Sequence, residues 1–189
     1  VVPDEYLNQL PEGAKITLTE AVVSDFDGDG KMEYVVGCEG SDGTRVAILR
    51  PDGKPVILPP SEAGDEWMFH SLSKLEVAEV TGEGRAELLI EQSMGASVGS
   101  QLFIYRYLSP EDAGGKEEFE LLDTLVYHKL DIGDFDRDGL PELALWTKDV
   151  GEIYAVEVLS YGEGEESGDA PYRGPQKQVS LFQPDPDAY

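Results

Sequence analysis

One acidic stretch occurs three times in this chain. Asp25-Phe26-Asp27-Gly28-Asp29-Gly30-Lys31-Met32-Glu33 runs straight into the apolar Tyr34-Val35-Val36. It returns as Asp134-Phe135-Asp136-Arg137-Asp138-Gly139-Leu140-Pro141-Glu142, followed by Leu143-Ala144-Leu145-Trp146. A weaker copy lies between them, from Glu79 to Glu87, ahead of Leu88-Leu89-Ile90. The copies begin at Asp25, Glu79 and Asp134, 54 and 55 residues apart. A regular interval of this size restricts the chain to stacked copies of one supersecondary unit, each burying its apolar face on the next.

The sequel to each loop is the same: an apolar strand, a polar or glycine-containing break, and further strands. In the first unit these are 34–36, 45–49 and 56–58, the last two joined across Pro51-Asp52-Gly53-Lys54, whose Asp-Gly pair signals a hairpin turn. The second unit has 88–90, 102–107 and 119–122; the third has 143–146, 153–159 and 179–182. A strand also leads into each loop, at 16–23, 75–78 and 125–130, making about four strands per unit. β-branched and aromatic residues dominate these segments, and only Glu5–Leu10 suggests a helical turn. The expectation is an all-β chain, 1–189 as a single repeat domain, with four-stranded antiparallel blades at about 15–68, 69–123 and 124–178. That is a β-propeller-like array of about three blades. Propellers close with about four to eight, so three blades leave three alternatives open: a segment of a longer propeller, closure by pairing with another copy as a homo-oligomer, or a compact three-bladed variant.

Within the loop, Asp25, Asp27 and Asp29 take positions one, three and five, the Lys31 carbonyl position seven and Glu33 position nine. In the third copy Asp134, Asp136, Asp138, the Leu140 carbonyl and Glu142 take the same places. Alternate side chains in a turn tightened by Gly30 or Gly139 converge, and the hard oxygen donors suit Ca²⁺ at six or seven ligands. An EF-hand needs a bidentate Glu at position twelve; Val36 and Leu145 stand there, between strands instead of helices. The middle copy substitutes Glu79, Thr81 and Glu83, with Arg85 alongside as a counter-charge, so weak metal binding or none is expected there. Position two is apolar in every copy (Phe26, Val80, Phe135), which predicts a side chain driven into the core.

The run Asp25-Phe26-Asp27-Gly28-Asp29-Gly30-Lys31-Met32-Glu33-Tyr34-Val35-Val36, with its glycine-containing break and second strand, resembles the FG-GAP or VCBS-type (integrin α-like) repeats. The resemblance covers about residues 15–160 and rests on two strong motifs and one degenerate one. It departs from the family in blade number, commonly seven, and in lacking clear Phe-Gly and Gly-Ala-Pro signatures. The resemblance implies a β-propeller with calcium held in loops between strands. Related repeats occur in adhesion proteins, in some lectins and in accessory regions of secreted enzymes.

Charge narrows the function classes. With 14 Lys and Arg against 39 Asp and Glu, the net charge is −25, which argues against nucleic acid and anionic membrane as partners. No apolar run approaches the roughly 20 residues of a bilayer span, and the start at Val1 suits a mature or trimmed chain. A lone Cys38 permits no internal disulfide and reads as a small buried residue. No serine sits in a Gly-x-Ser-x-Gly turn, and neither His70 nor His128 has an evident catalytic partner in sequence, so both read as packing or surface residues. Tyr105, Tyr107, Tyr154, Tyr161, Trp67 and Trp146 are candidates for a ligand platform but read first as packing between blades, and 161–175 reads as an acidic, glycine-rich loop. The expected function is therefore a calcium-stabilised, non-catalytic binding or adhesion module with a protein or glycan ligand. Open calcium loops of low affinity suit millimolar external calcium, which places the chain outside the cytoplasm. A lectin-like carbohydrate-binding domain and an accessory domain of a secreted enzyme are the alternatives.

Overall fold

A computed structural model describes residues 2–18, 21–40, 43–58, 69, 71–114, 118–148, 154–162 and 182–184. The expected blade cut at 68/69, His70, Trp67, most of the 161–175 loop and positions 179–181 of the last expected strand fall partly or wholly outside these residues. The chain is all-β, and its described residues form three antiparallel sheets.

The first sheet contains β1 (Lys15–Ile16), β2 (Val22–Ser24), β3 (Glu33–Gly40), β4 (Gly43–Leu49) and β5 (Val56–Leu58). It counts five strands because one edge is split: β1 pairs Cys38 and Glu39 of β3, and β2 pairs Glu33 to Val35. The second sheet runs in chain order through β6 (Leu72–Ala78), β7 (Glu87–Ser93), β8 (Ser100–Tyr107) and β9 (Phe119–Tyr127). The third does the same through β10 (Lys129–Gly133), β11 (Glu142–Lys148), β12 (Tyr154–Tyr161) and β13 (Phe182–Pro184). Strand β9 passes through the expected cut at 123/124, and the expected lead-in strand 125–130 is divided at His128 between β9 and β10. The reason is register: Leu125, Val126 and Tyr127 pair with Ser100 to Leu102 of the second sheet, whereas Lys129 onward pairs with β11 of the third.

Local chemistry explains the connections. At Pro51-Asp52-Gly53 the Gly53 amide donates to the Arg50 carbonyl at 3.1 Å, a β-turn with proline and glycine at their favoured places. Between β8 and β9 a single helical turn, α2 (Pro110–Ala113), starts at Ser109, whose hydroxyl accepts the Asp112 amide at 3.2 Å, and stops at the left-handed Gly114. The N-terminal turn α1 (Asp4–Leu7) matches the helical turn expected near Glu5.

The second sheet is buried on both faces, as alternation along β8 requires. Phe103, Tyr105 and Tyr107 enter a cluster with Phe26, Val35, Val46 and Ile48 of the first sheet, whereas Leu102 and Ile104 pack with Leu143, Leu145 and Leu159 of the third. The β8 tyrosines are therefore packing residues, Tyr105 being 4% and Tyr107 9% exposed. Phe119 of β9 lies between Phe26 and Tyr107, ring centroids 5.4 and 5.6 Å apart. Each such fully buried side chain contributes about 1.5–3 kcal/mol. The outer face of the first sheet is covered by Val2, Tyr6, Leu7 and Leu10, which pack on Val36, Cys38, Ala47 and Leu49; Cys38 is buried there. Among the described residues no buried cluster joins the first sheet to the third.

Candidate metal centres

Each acidic loop joins two paired neighbouring strands of its sheet: 25–33 between β2 and β3, 79–87 between β6 and β7, and 134–142 between β10 and β11. The position-nine glutamate opens the following strand with its side chain turned inward, at 2% exposure for Glu33, 0% for Glu87 and 1% for Glu142. In every loop one of its oxygens accepts the amide of position two. The distances are 2.8 Å from Phe26 to Glu33 Oε2, 3.0 Å from Val80 to Glu87 Oε2 and 2.5 Å from Phe135 to Glu142 Oε2. Burial pushes all three carboxyls above their usual range; the amide bond opposes this, and the neighbouring acidic side chains add to it.

The aspartates hold the turns by accepting backbone amides. Asp25 takes those of Gly28 (2.8 Å) and Gly30 (3.0 Å), Asp27 that of Asp29 (3.0 Å), and Asp29 that of Lys31 (2.7 Å). In the third loop Asp134 takes Gly139 (3.2 Å), Asp136 takes Asp138 (2.9 Å) and Asp138 takes Leu140 (2.7 Å). The bonds of Asp27, Asp29, Asp136 and Asp138, each to the amide two residues on, are Asx turns, and Asp25 and Asp134 close the wider loop.

The three loops differ in what neutralises them. In the first, Lys31 Nζ lies 2.9 Å from Asp29 Oδ2, and this contact holds the Asp29 carboxyl below its ordinary range. Both oxygens of Asp25 are already engaged, and Glu33 is not among the oxygens that gather within 4.8 Å, which come from Asp25, Asp27 and Asp29 alone. In the middle loop the Thr81 hydroxyl lies 3.1 Å from Glu87 Oε1 and 3.5 Å from Glu79 Oε1, a protein hydroxyl between two carboxylates. The counter-charge comes from Arg106 on β8, not from the expected Arg85. One Arg106 terminal nitrogen is 3.2 and 3.0 Å from the two Glu83 oxygens and 3.2 Å from the Tyr161 hydroxyl, and the other is 3.4 Å from Glu120. Arg85 is exposed on the loop, whereas Arg106 projects from β8 toward the third sheet, where Glu83 and Tyr161 meet it.

In the third loop, oxygens of Asp134, Asp136, Asp138 and Glu142 all lie within 4.8 Å of one another. Each carboxylate uses one oxygen for a backbone amide and keeps the other without a protein partner among the described residues. Leu140 stands where the first loop has Lys31. An all-carboxylate donor set with one free oxygen apiece fits a hard divalent cation, and its lack of His and Cys is unlike the N/S sites of zinc.

No protein-family model and no curated protein matches the chain. Its chemistry is read from its own residues.

Of the expected donors, the third loop brings all four carboxylates together and the first brings its three aspartates. Position two differs from expectation at one loop. Phe26 and Val80 are 8% and 0% exposed, but Phe135 is 43% exposed. Phe26 packs on Phe119 of the next sheet and Val80 enters the cluster shared with the third; Phe135 belongs to the last sheet and rests over Gly133. His128 is half-buried at the polar cleft between the second and third sheets, its ring edge-on to Tyr154. Thr81 as a carboxylate bridge and Arg106 as the partner of Glu83 were not foreseen from the sequence; for Arg106 the available signal was the single charged residue of β8.

Proposed function

We propose that this chain is a calcium-stabilised, non-catalytic binding or adhesion module that acts outside the cytoplasm on a protein or glycan ligand. Its sheets form a propeller-like array of blades resembling FG-GAP repeats, and closing that array with a further copy gives a homo-oligomer. The observation that carries the calcium reading is the third loop: four carboxylates converge within 4.8 Å, and among the described residues no lysine or arginine is paired to them. At such a distance two like charges repel by about 0.9 kcal/mol even at the dielectric of water. A bound cation removes that repulsion and ties the loop to β10 and β11.

The neutralised neighbours support an order of affinity, third loop over first over middle, because Lys31 competes for Asp29 and because Thr81 and Arg106 already satisfy Glu87 and Glu83. When bound, the ion supplies charge neutralisation and rigidity. The module reading, in place of an enzyme, rests on the lack of a nucleophile–base motif in the sequence. Calorimetric titration of chelator-stripped protein tests the metal reading. The expected result is a leading calcium event with a Kd of ~10⁻⁴–10⁻³ M, as for extracellular modules, that Asp136→Asn removes. Absence of heat at up to about ten times that concentration refutes it.

A further inference from the structure

A cleft of about 400 Å³ opens between the second and third sheets, over β6 to β9 on one side and β10 on the other. Its rim carries one pattern twice: Lys74-Leu75-Glu76 on β6 and Lys129-Leu130-Asp131 on β10, 55 residues apart. In each, the ammonium pairs with the carboxylate two residues on, at 2.6 Å for Lys74 to Glu76 and 3.2 Å for Lys129 to Asp131. Deeper in, the buried Tyr127 donates its hydroxyl to Glu91 Oε2 at 2.5 Å, and the Ser73 hydroxyl is 2.8 Å from Glu91 Oε1. His128 Nδ1 accepts the Lys148 amide at 3.1 Å, which leaves the ring proton on Nε2; that atom is buried and has no partner among the described residues.

The junction of the first and second sheets shows what closes such a space. There Gly37 of β3 meets Leu72 of β6 so closely that an added Cβ would lie 2.4 Å from the leucine Cδ2. Glu91 follows Gly37 by 54 residues and Tyr127 follows Leu72 by 55. Where the first junction has an apolar contact, the second has a hydrogen-bonded polar pair beside an open cleft.

We infer that this cleft binds a small neutral polyhydroxylated ligand, a sugar or a polyol, through the Lys74–Glu76 and Lys129–Asp131 pairs on its rim. The inference rests on the reading of the chain as a binding module and supplies its ligand class. Two ammonium groups and three carboxylates (Glu76, Glu91, Asp131) line the space, in a chain of net charge −25, so an anion is repelled. An apolar ligand would strip water from ionised groups without replacing its hydrogen bonds, and a cation meets the competing ammonium groups of Lys74 and Lys129 beside Glu76 and Asp131. A hydroxyl both donates and accepts. Neighbouring hydroxyls can therefore bridge an ammonium and its carboxylate without breaking the pair. The volume lies at the lower end of the ~300–1,000 Å³ typical of small-molecule sites.

Amide chemical shifts of the ¹⁵N-labelled chain test this with methyl glucoside, methyl galactoside, N-acetylglucosamine and myo-inositol, and with phosphate and glycine as charged comparisons. At least one neutral probe is expected to move the amides of 74–76, 91 and 127–131, with a Kd of ~10⁻³ M. Lys129→Gln and Asp131→Asn, each verified as folded by a dispersed spectrum, should weaken binding about tenfold, as for loss of one charge-assisted hydrogen bond. No shift at these amides with any neutral probe, a larger response to phosphate or glycine, or unchanged binding in both variants overturns the inference. Calcium-dependent melting is recorded on the same sample. A cleft silent to every probe in a protein that calcium stabilises refutes the ligand class alone, and a cleft that binds in a protein indifferent to calcium refutes the metal reading alone.

Discussion

Replacing Asp136 and Asp138 together by Asn should change stability in opposite senses with and without calcium. Asn keeps an oxygen in place of each Oδ1 that accepts the Asp138 and Leu140 amides, so the turns survive while two of four charges go. With the oxygens within 4.8 Å of one another, each pair repels by about 0.9 kcal/mol at water's dielectric, and five of the six pairs involve a replaced residue. Salt screening and the repulsion that the unfolded chain retains reduce the net gain to about 1–2 kcal/mol. In chelator the variant should therefore melt a few degrees higher than the parent, at about 2–4 °C per kcal/mol for a chain of this size. In calcium at about a hundred times Kd the parent gains about 2.7 kcal/mol, and the variant should keep only the smaller response of the first loop. Melting curves of both proteins, in EDTA and in calcium, decide the matter. A variant less stable than the parent in EDTA, or two proteins with equal calcium responses, would show that these aspartates serve only as turn formers.

Phe26→Ala should cost about 3 kcal/mol through the cavity it leaves against Phe119, whereas Phe135→Ala, at an exposed ring, should stay within about 0.5 kcal/mol; urea unfolding compares them. Arg137 has φ of 70° at the loop position where Gly28 and Gly82 both have 75°. Arg137→Gly, measured in calcium, should therefore stabilise by a net ~0.5–1 kcal/mol once the entropy of the unfolded glycine is set against the relieved strain; a loss of stability would count against the strain. Glu87 has its carboxyl raised above 4.5, first by burial and then by Glu79 and Glu83, against the opposing Val80 and Thr81 hydrogen bonds. The folded state thus holds this proton more tightly than the unfolded, so its contribution is greatest at low pH and is lost as pH rises from about 4.5 through the raised value. Glu87→Gln should flatten that limb in chelator, and denaturant titrations at a series of pH values with identical slopes for both proteins would refute it.

How far the site was legible depends on the chain distance over which its parts interact. Every Asx turn and every position-nine bond closes within seven residues, so residue spacing alone pointed to Asp25, Asp134, Glu33 and Glu142. Arg106 reaches Glu83 across 23 residues and Tyr161 across 55, and Tyr127 reaches Glu91 across 36. No local pattern encodes such partners, because a side chain's reach is settled by which sheet lies opposite. The misplaced boundary at 123/124 has the same origin: 125–130 is uniformly strand-forming, and only pairing with β8 or β11 divides it at His128.

The sequence by itself determined the all-β class, the position of three acidic turns before three strands, and the alternation that gives β8 two buried faces. These follow from backbone propensity, turn chemistry and a side-chain period of two, which act between near neighbours. Tertiary structure decided which loop keeps its carboxylates free. Lys31 lies within its own loop, but whether it turns back onto Asp29, whether Arg106 meets Glu83, and whether Phe135 finds a sheet to bury it depend on what packs alongside. Burial and counter-charge belong to the neighbours in space, and the three loops, so alike in sequence, differ because those neighbours do.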